Sequence, residues 1–217
     1  MLIAALVSAP LLVIVSALFL PGGEHWAHLR STVLSGYISN TLWLLLGVST
    51  VAAVLGIPTA WLCSTMDFGG RRTLSWLLVL PLAAPAYVIA YVYTDLLEFA
   101  GPVQGALREA FGWQASDYWF PGIRSLGGAI MVLGFALYPY VYLLCRAVFE
   151  RQSAALYESA RLLGATPASA FWRIALPSAR PAIAGGLALV MMETAADFGV
   201  VEYFGVATFS TGIFRAW

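Results

Sequence analysis

Apolar residues run through this chain in five long blocks. Each is near the roughly 20 residues that a helix needs to cross hydrocarbon, since each residue adds about 1.5 Å. The blocks are Leu2–Leu20, Asn40–Ser64, Thr73–Leu97, Leu126–Phe149 and Ala182–Phe198. The first ends at Pro21-Gly22-Gly23. It lacks the charged start and small-residue cleavage site of a signal peptide, so it reads as a retained helix. The last is the least clean, because Glu193 and Asp197 stand near its far end. The pattern predicts an all-α integral membrane protein with about five transmembrane helices.

Composition agrees with that reading. The chain is 61% hydrophobic and 10% charged, whereas soluble domains carry about 25% charged residues. Its 11 basic residues, all arginine, balance 11 acidic ones, so no global field argues for nucleic acid. Cys63 and Cys145 each fall inside an apolar block and read as packing residues, not as a disulfide or zinc framework.

Arginine placement predicts the topology. The loop Thr65–Arg72 holds Arg71 and Arg72, and the loop Arg146–Arg180 holds Arg146, Arg151, Arg161, Arg173 and Arg180. The other connections carry Arg30, and Arg108 with Arg124, mixed with acids. The positive-inside rule places the first two loops, and with them the amino terminus, in the cytoplasm. Within the blocks, Pro58, Pro81, Pro85 and Pro139 each delete a helix donor. Such breaks persist where neighbouring helices, hydroxyls or a wet cavity satisfy the freed carbonyls. Around Pro81 and Pro85, close helix packing and a kinked pathway wall are both open.

The longest polar-leaning island between two apolar blocks is Glu158–Pro177. Its residues predict two short helices joined by a turn. Leu156, Ala160 and Leu163 lie close to helical spacing. Gly164 permits the left-handed conformation that ends a helix. Thr166 before Pro167 suits an N-cap followed by proline at the first helical position. The second helix is expected to run through Phe171 and Trp172 to Ile174 and to be stopped by Leu176-Pro177. An elbow with an aromatic tip suits docking into a groove on a partner.

The same island carries Glu158-Ser159-Ala160, three residues, Gly164, nine residues, then Ile174-x-Leu176-Pro177. It resembles the EAA loop of the membrane subunits of ABC importers, with Ser159 the only substitution. The similarity extends from Asn40-Thr41-Leu42 to the end. Pro85-Ala86-Tyr87-Val88, Asp197-Phe198-Gly199-Val200 and Tyr203 through Ile213 resemble the first half of ferric-iron (Fbp-type) permeases.

The resemblance implies a type I, MetI-like permease core. Residues 1–39 would form the first span and an external loop, and 40–217 the core, incomplete at its carboxyl end, with a cytoplasmic coupling loop at 150–180. It further implies a bacterial inner-membrane transport subunit that is not itself an enzyme and holds no cofactor. Its expected partners are cytoplasmic ATPase subunits, a periplasmic binding protein and a second permease half or copy. Glu158, Ser159, Ala160 and Gly164 would shape the elbow. Ala165, Phe171 and Trp172 would lie near the ATPase contact, and Ile174, Leu176 and Pro177 would close the motif. A sixth span, and a second half with its own loop, are expected in the complete protein. Permeases for thiamine, polyamines, sulfate or phosphonates share this core, and an ion-coupled secondary carrier is the rival from another class.

Two further groups invite a function. His25, His28 and Glu24 are not a closed metal-ligand set, and Trp26 beside them favours an interfacial anchor. Glu193 and Asp197, four apart, are expected on one helix face. They either line a cation path or lie solvated in the outer interface. No phosphate-binding loop is present, so the chain does not supply an ATP site by that motif, and hydrolysis is expected on a separate partner. Cysteines introduced for labelling test the topology. One at Gly70 should react with an impermeant thiol reagent only from the cytoplasm, one at Gln114 only from outside, and the reverse accessibility would invert the orientation.

Overall fold

The computed structural model describes residues 33–152, 162 and 164–216. Two compact units, Met1–Gly36 and Tyr37–Trp217, divide the chain, and the account below concerns the second. The block expected at Leu2–Leu20, and the His25–His28–Glu24 cluster, lie outside the described residues.

Among the described residues every regular element is helical. Helix α1 spans Leu34–Thr65, beginning earlier than the Asn40 expected from its apolar block. Helix α2 covers Arg71–Leu77 and leads into a 3₁₀ turn at Leu80–Ala83; α3 covers Ala86–Leu97 and α4 Pro102–Phe111. Helix α5 is Leu126–Arg151. The elbow follows as α6 (Pro167–Ala170), a π turn (Phe171–Ala175) and α7 (Leu176–Ser178). Helices α8 (Arg180–Ala196), α9 (Gly199–Tyr203) and α10 (Phe209–Ala216) complete the chain. By length and composition α1 and α5 can each cross a membrane, and the described residues hold up to four spans if each of two bent helix pairs counts as one.

The expected third span, Thr73–Leu97, is not one helix. Segments Arg71–Ala83 and Ala86–Phe111 meet at 102°. The cause is local: a proline ring excludes its predecessor from the helical region, and Ala84, before Pro85, is extended at φ −113° and ψ 137°. The chain therefore turns sharply instead of kinking.

Helix α5 is the centre of the bundle. Val132, Leu133, Val141, Tyr142 and Cys145 on it are buried, as is Cys63 on α1, and both cysteines are free thiols. Small residues let its neighbours approach. A Cβ at Gly56 of α1 would lie 2.9 Å from Val141 Cβ, and one at Gly186 of α8 would lie 2.9 Å from the Val141 Cα. On α5 itself, a Cβ at Gly134 would meet Val51 of α1 at 2.5 Å. Close backbone approach at small residues is how helices pack where lipid removes the hydrophobic drive.

Polar groups hold the ends. Arg71 Nε donates to the Cys63 carbonyl at 2.6 Å, Nη2 to the Ser64 carbonyl at 3.2 Å and Nη1 to Asp67 at 2.6 Å. A cation thus satisfies the last carbonyls of α1, where the helix dipole is negative. At the opposite end Asn40 donates to the Ala207 carbonyl at 2.9 Å and the Thr41 hydroxyl accepts from Phe209 N at 3.2 Å, tying α1 to α10.

The two adjacent glycines of α8 give a matched test. Gly186→Ala forces a methyl against Val141 backbone, whereas Gly185→Ala meets nothing nearer than Leu144 Cδ1 at 3.8 Å. Overpacking costs about 1–3 kcal/mol, while alanine gains up to about 1 kcal/mol in helix propensity. Gly186→Ala should unfold more readily than the parent in a detergent denaturation series, and Gly185→Ala should not.

Candidate coupling elbow

The elbow between α5 and α8 is built from local rules that the sequence carries. Gly164 has φ +83°, a conformation costing a side-chain-bearing residue about 1–2 kcal/mol. Thr166 caps α6: its hydroxyl accepts from Ser169 N at 3.2 Å, and Pro167 opens the helix without a donor to lose. Glu158, Ser159 and Ala160 lie outside the described residues, so the first helix of the motif is not described here.

The second helix does not stop at Leu176-Pro177. It runs on to Ser178, and the break falls at Ala179, where the axis turns 70° into α8. A proline at position 177 would ordinarily clash with the carbonyl of Arg173, four residues back. Here residues Phe171–Ala175 take the wider π turn, which moves that carbonyl and lets the helix continue.

One face of the elbow is held and the other is bare. Ala170, Ala175 and Ala179 are buried. Ala165, Ile174, Leu176 and Pro177 are half-buried. Phe171 packs on Trp61 of α1, ring centroids 5.1 Å apart, and edge-on against Trp172 at 5.2 Å. The Gln152 side chain, just beyond α5, donates to Ser178 Oγ, whose hydroxyl donates to the Ala175 carbonyl at 2.7 Å. By contrast Trp172 is 65% and Leu162 89% exposed. The elbow thus presents two large apolar side chains outward while being bolted to α1 and α5. Trp61 and Gln152 were not singled out from sequence. Trp61 lies in an apolar block where nothing distinguishes an anchor from a packing residue.

The two arginine-bearing loops share one end of the bundle. The Trp61–Phe171 contact joins the carboxyl end of α1 to the elbow, and Arg71, Arg72 and Arg146 line a common cavity.

The two acidic residues differ in exposure, Asp197 being half-buried. Glu193 is exposed on α8. Asp197 is the C-cap of α8, where φ −65° is still helical and ψ 130° turns the following chain out of the helix. Asp197 Oδ2 accepts from Val200 N and Val201 N, both at 3.1 Å, capping α9. Its carbonyl accepts from Ser210 at 2.7 Å.

Among the described residues the chain is an all-helical, apolar core with broken spans and an elbow at one end, an architecture that fits a membrane permease subunit. The chain belongs to the family of binding-protein-dependent transport system inner membrane components, which matches residues 52–215. It is similar to the Fe(3+)-transport system permease protein FbpB 2 of Haemophilus influenzae, 26% identical over 180 residues, 83% of this chain and 31% of that protein. The sulfate transport system permease protein CysT of Salmonella typhimurium is also 26% identical over 180 residues, 83% of this chain and 62% of the relative. The molybdenum transport system permease protein ModB of Haemophilus influenzae is 28% identical over 171 residues, 79% of this chain and 68% of the relative. The chain thus spans between about one third and two thirds of the length of these relatives.

The Thr166 cap is testable by itself. Thr166→Ala removes one hydrogen-bonded cap, worth about 1 kcal/mol, so amide exchange at Ser169 should quicken about fivefold, while exchange in the middle of α5 stays unchanged.

Proposed function

We propose that this chain is the transmembrane permease part of an ATP-driven importer that moves ferric iron delivered by a periplasmic binding protein. The observation that carries the ATP-coupled reading is the elbow. A left-handed Gly164, a capped α6 and an exposed Trp172 form a projecting knob, which suits a groove on a soluble ATPase subunit. Glu158, Ser159, Ala160, Gly164 and Ala165 shape the knob. Phe171 and Trp172 supply its contact and its link to α1, and Ile174, Leu176 and Pro177 join it to α8. Closure of the ATPase pair would push the knob, and the Trp61–Phe171 and Gln152–Ser178 contacts would pass that displacement to α1 and α5.

The elbow and the loop 65–72 lie in the cytoplasm in this reading, with the amino terminus on the same side, in a bacterial inner membrane. A second permease half or copy completes the pathway beside the core at 40–217. Glu193, an exposed carboxylate in an apolar segment, lines the path, and Asp197 shapes its mouth by holding α9. The iron assignment rests on the similarity to FbpB 2. The similarity to CysT and ModB favours a second reading, an oxyanion as the transported solute.

The complete transporter, reconstituted in proteoliposomes with its ATPase and binding protein, tests these points together. Labelled ferric iron should enter only with ATP. Gly164→Val should keep membrane insertion but lose ATP-dependent uptake, since valine resists the conformation Gly164 adopts, and Glu158→Lys should do the same. Uptake of sulfate or molybdate instead would replace the substrate. Uptake driven by a pH gradient without ATP would point to a secondary carrier.

A further inference from the structure

A cavity of about 1070 Å³ opens at the same end of the bundle as the elbow, between the loop after α1, helix α2 and the end of α5. Arg71, Arg72 and Arg146 line it, together with Asp67, Trp76 and Leu143. Asp67 is paired with Arg71 at 2.6 Å and Arg146 with Glu150 at 2.7 Å, so among the described residues lining the cavity the positive charge without a carboxylate partner is that of Arg72. A guanidinium has five N–H donors. Arg71 commits three to Cys63, Ser64 and Asp67. Arg146 commits two, to Glu150 at 2.7 Å and to the Tyr142 hydroxyl at 3.1 Å. Exposed Arg72 makes no hydrogen bond or ion pair with any described residue. Arg72 therefore lines the cavity with its donors uncommitted, and Arg71 and Arg146 each keep donors beyond these bonds.

The cavity also continues in a particular direction. A second hollow of about 440 Å³ shares Arg72, Thr73 and Trp76 with it and runs along Leu77 and Leu80. Trp76 is 75%, Leu77 55% and Leu80 62% exposed, so this apolar trough lies open on the surface of the described helices. Basic donors at the end of a span, leading into an apolar trough beside it, match an amphiphile with an anionic head. A soluble anion would make no use of the trough.

We propose that this composite site binds an anionic phospholipid, its phosphate held by Arg72 and Arg146 with Arg71 behind them, and one acyl chain lying along Trp76, Leu77 and Leu80. Basic pockets between helices at a membrane surface are suited to such headgroups. The proposal rests on the chain being a membrane protein and not on which solute it moves.

The test is retention of lipid by the full chain in detergent, followed by native mass spectrometry. Dioleoylphosphatidylglycerol, dioleoylphosphatidylcholine and inorganic phosphate serve as separate probes. Phosphatidylglycerol should be retained several-fold better than phosphatidylcholine. Arg72→Gln should reduce that preference about fivefold, the effect expected of one basic residue near an anionic surface. Trp76→Ala should weaken retention of phosphatidylglycerol without restoring phosphatidylcholine to parity. Equal retention of both lipids, or an unchanged preference in Arg72→Gln, would overturn the proposal. Displacement of phosphatidylglycerol by millimolar inorganic phosphate, with no effect of Trp76→Ala, would show a soluble-anion site instead.

Discussion

The bundle depends on how closely two helices can approach α5. In hydrocarbon, burying a leucine against a leucine gains little over leaving it in lipid, so cohesion must come from dispersion contact and backbone proximity. At Gly56, Gly134 and Gly186 a single Cβ would already collide with the opposing helix. Those three positions set the spacing of α1, α5 and α8, and the elbow inherits its position from that spacing, because Phe171 rests on α1 while Ser178 is tied to the end of α5.

A second constraint is that every bend frees backbone groups that lipid cannot satisfy. The chain answers with side chains placed at each end. Arg71 closes the carboxyl end of α1, Asp197 caps α9, and Asn40 and Thr41 bond the segment before α10. Further along, the Thr211 hydroxyl accepts from Thr208 N and donates to the Thr208 carbonyl, both at 2.9 Å. On the side opposite the elbow, the connection after α3 is fastened comparably. Gln104 donates to the Leu97 carbonyl at 2.7 Å, the Tyr118 hydroxyl donates to Gln104 at 2.8 Å, and Arg108 donates to both Tyr118 and the Phe99 carbonyl. The irregular backbone is thus knitted by a few long polar side chains.

Much of this was legible in residues read one at a time. Apolar length located α1 and α5, Gly164 and Thr166-Pro167 announced the turn and cap of the elbow, and the motif around Ile174 identified the family. What stayed hidden depended on partners. The apolar run Thr73–Leu97 reads as continuous because hydropathy ignores direction, although the extended conformation before Pro85 was the local clue to its 102° turn. The bonds of Asp197 to Val200 N and Val201 N were hidden, because they depend on the chain leaving the helix at that residue. Pro177 looked like a stop because a proline's clash is with the carbonyl behind it, and a π turn can move that carbonyl. Trp61 and Gln152 gave no signal, since their significance lies in Phe171 and Ser178, more than a hundred and more than twenty residues away.

The π turn also bears on the length of the elbow. A π turn holds one residue more than the α turn it replaces, so the stretch from Gly164 to Leu176 contains an extra residue relative to a plain helix. Deleting one residue there would restore ordinary winding but swing everything upstream by about 100° around the axis. Trp172 would then face a different quarter, and Phe171 would leave Trp61. A change in length within this segment therefore moves the whole projecting face, whereas a substitution away from Gly164 and Thr166 leaves its direction in place.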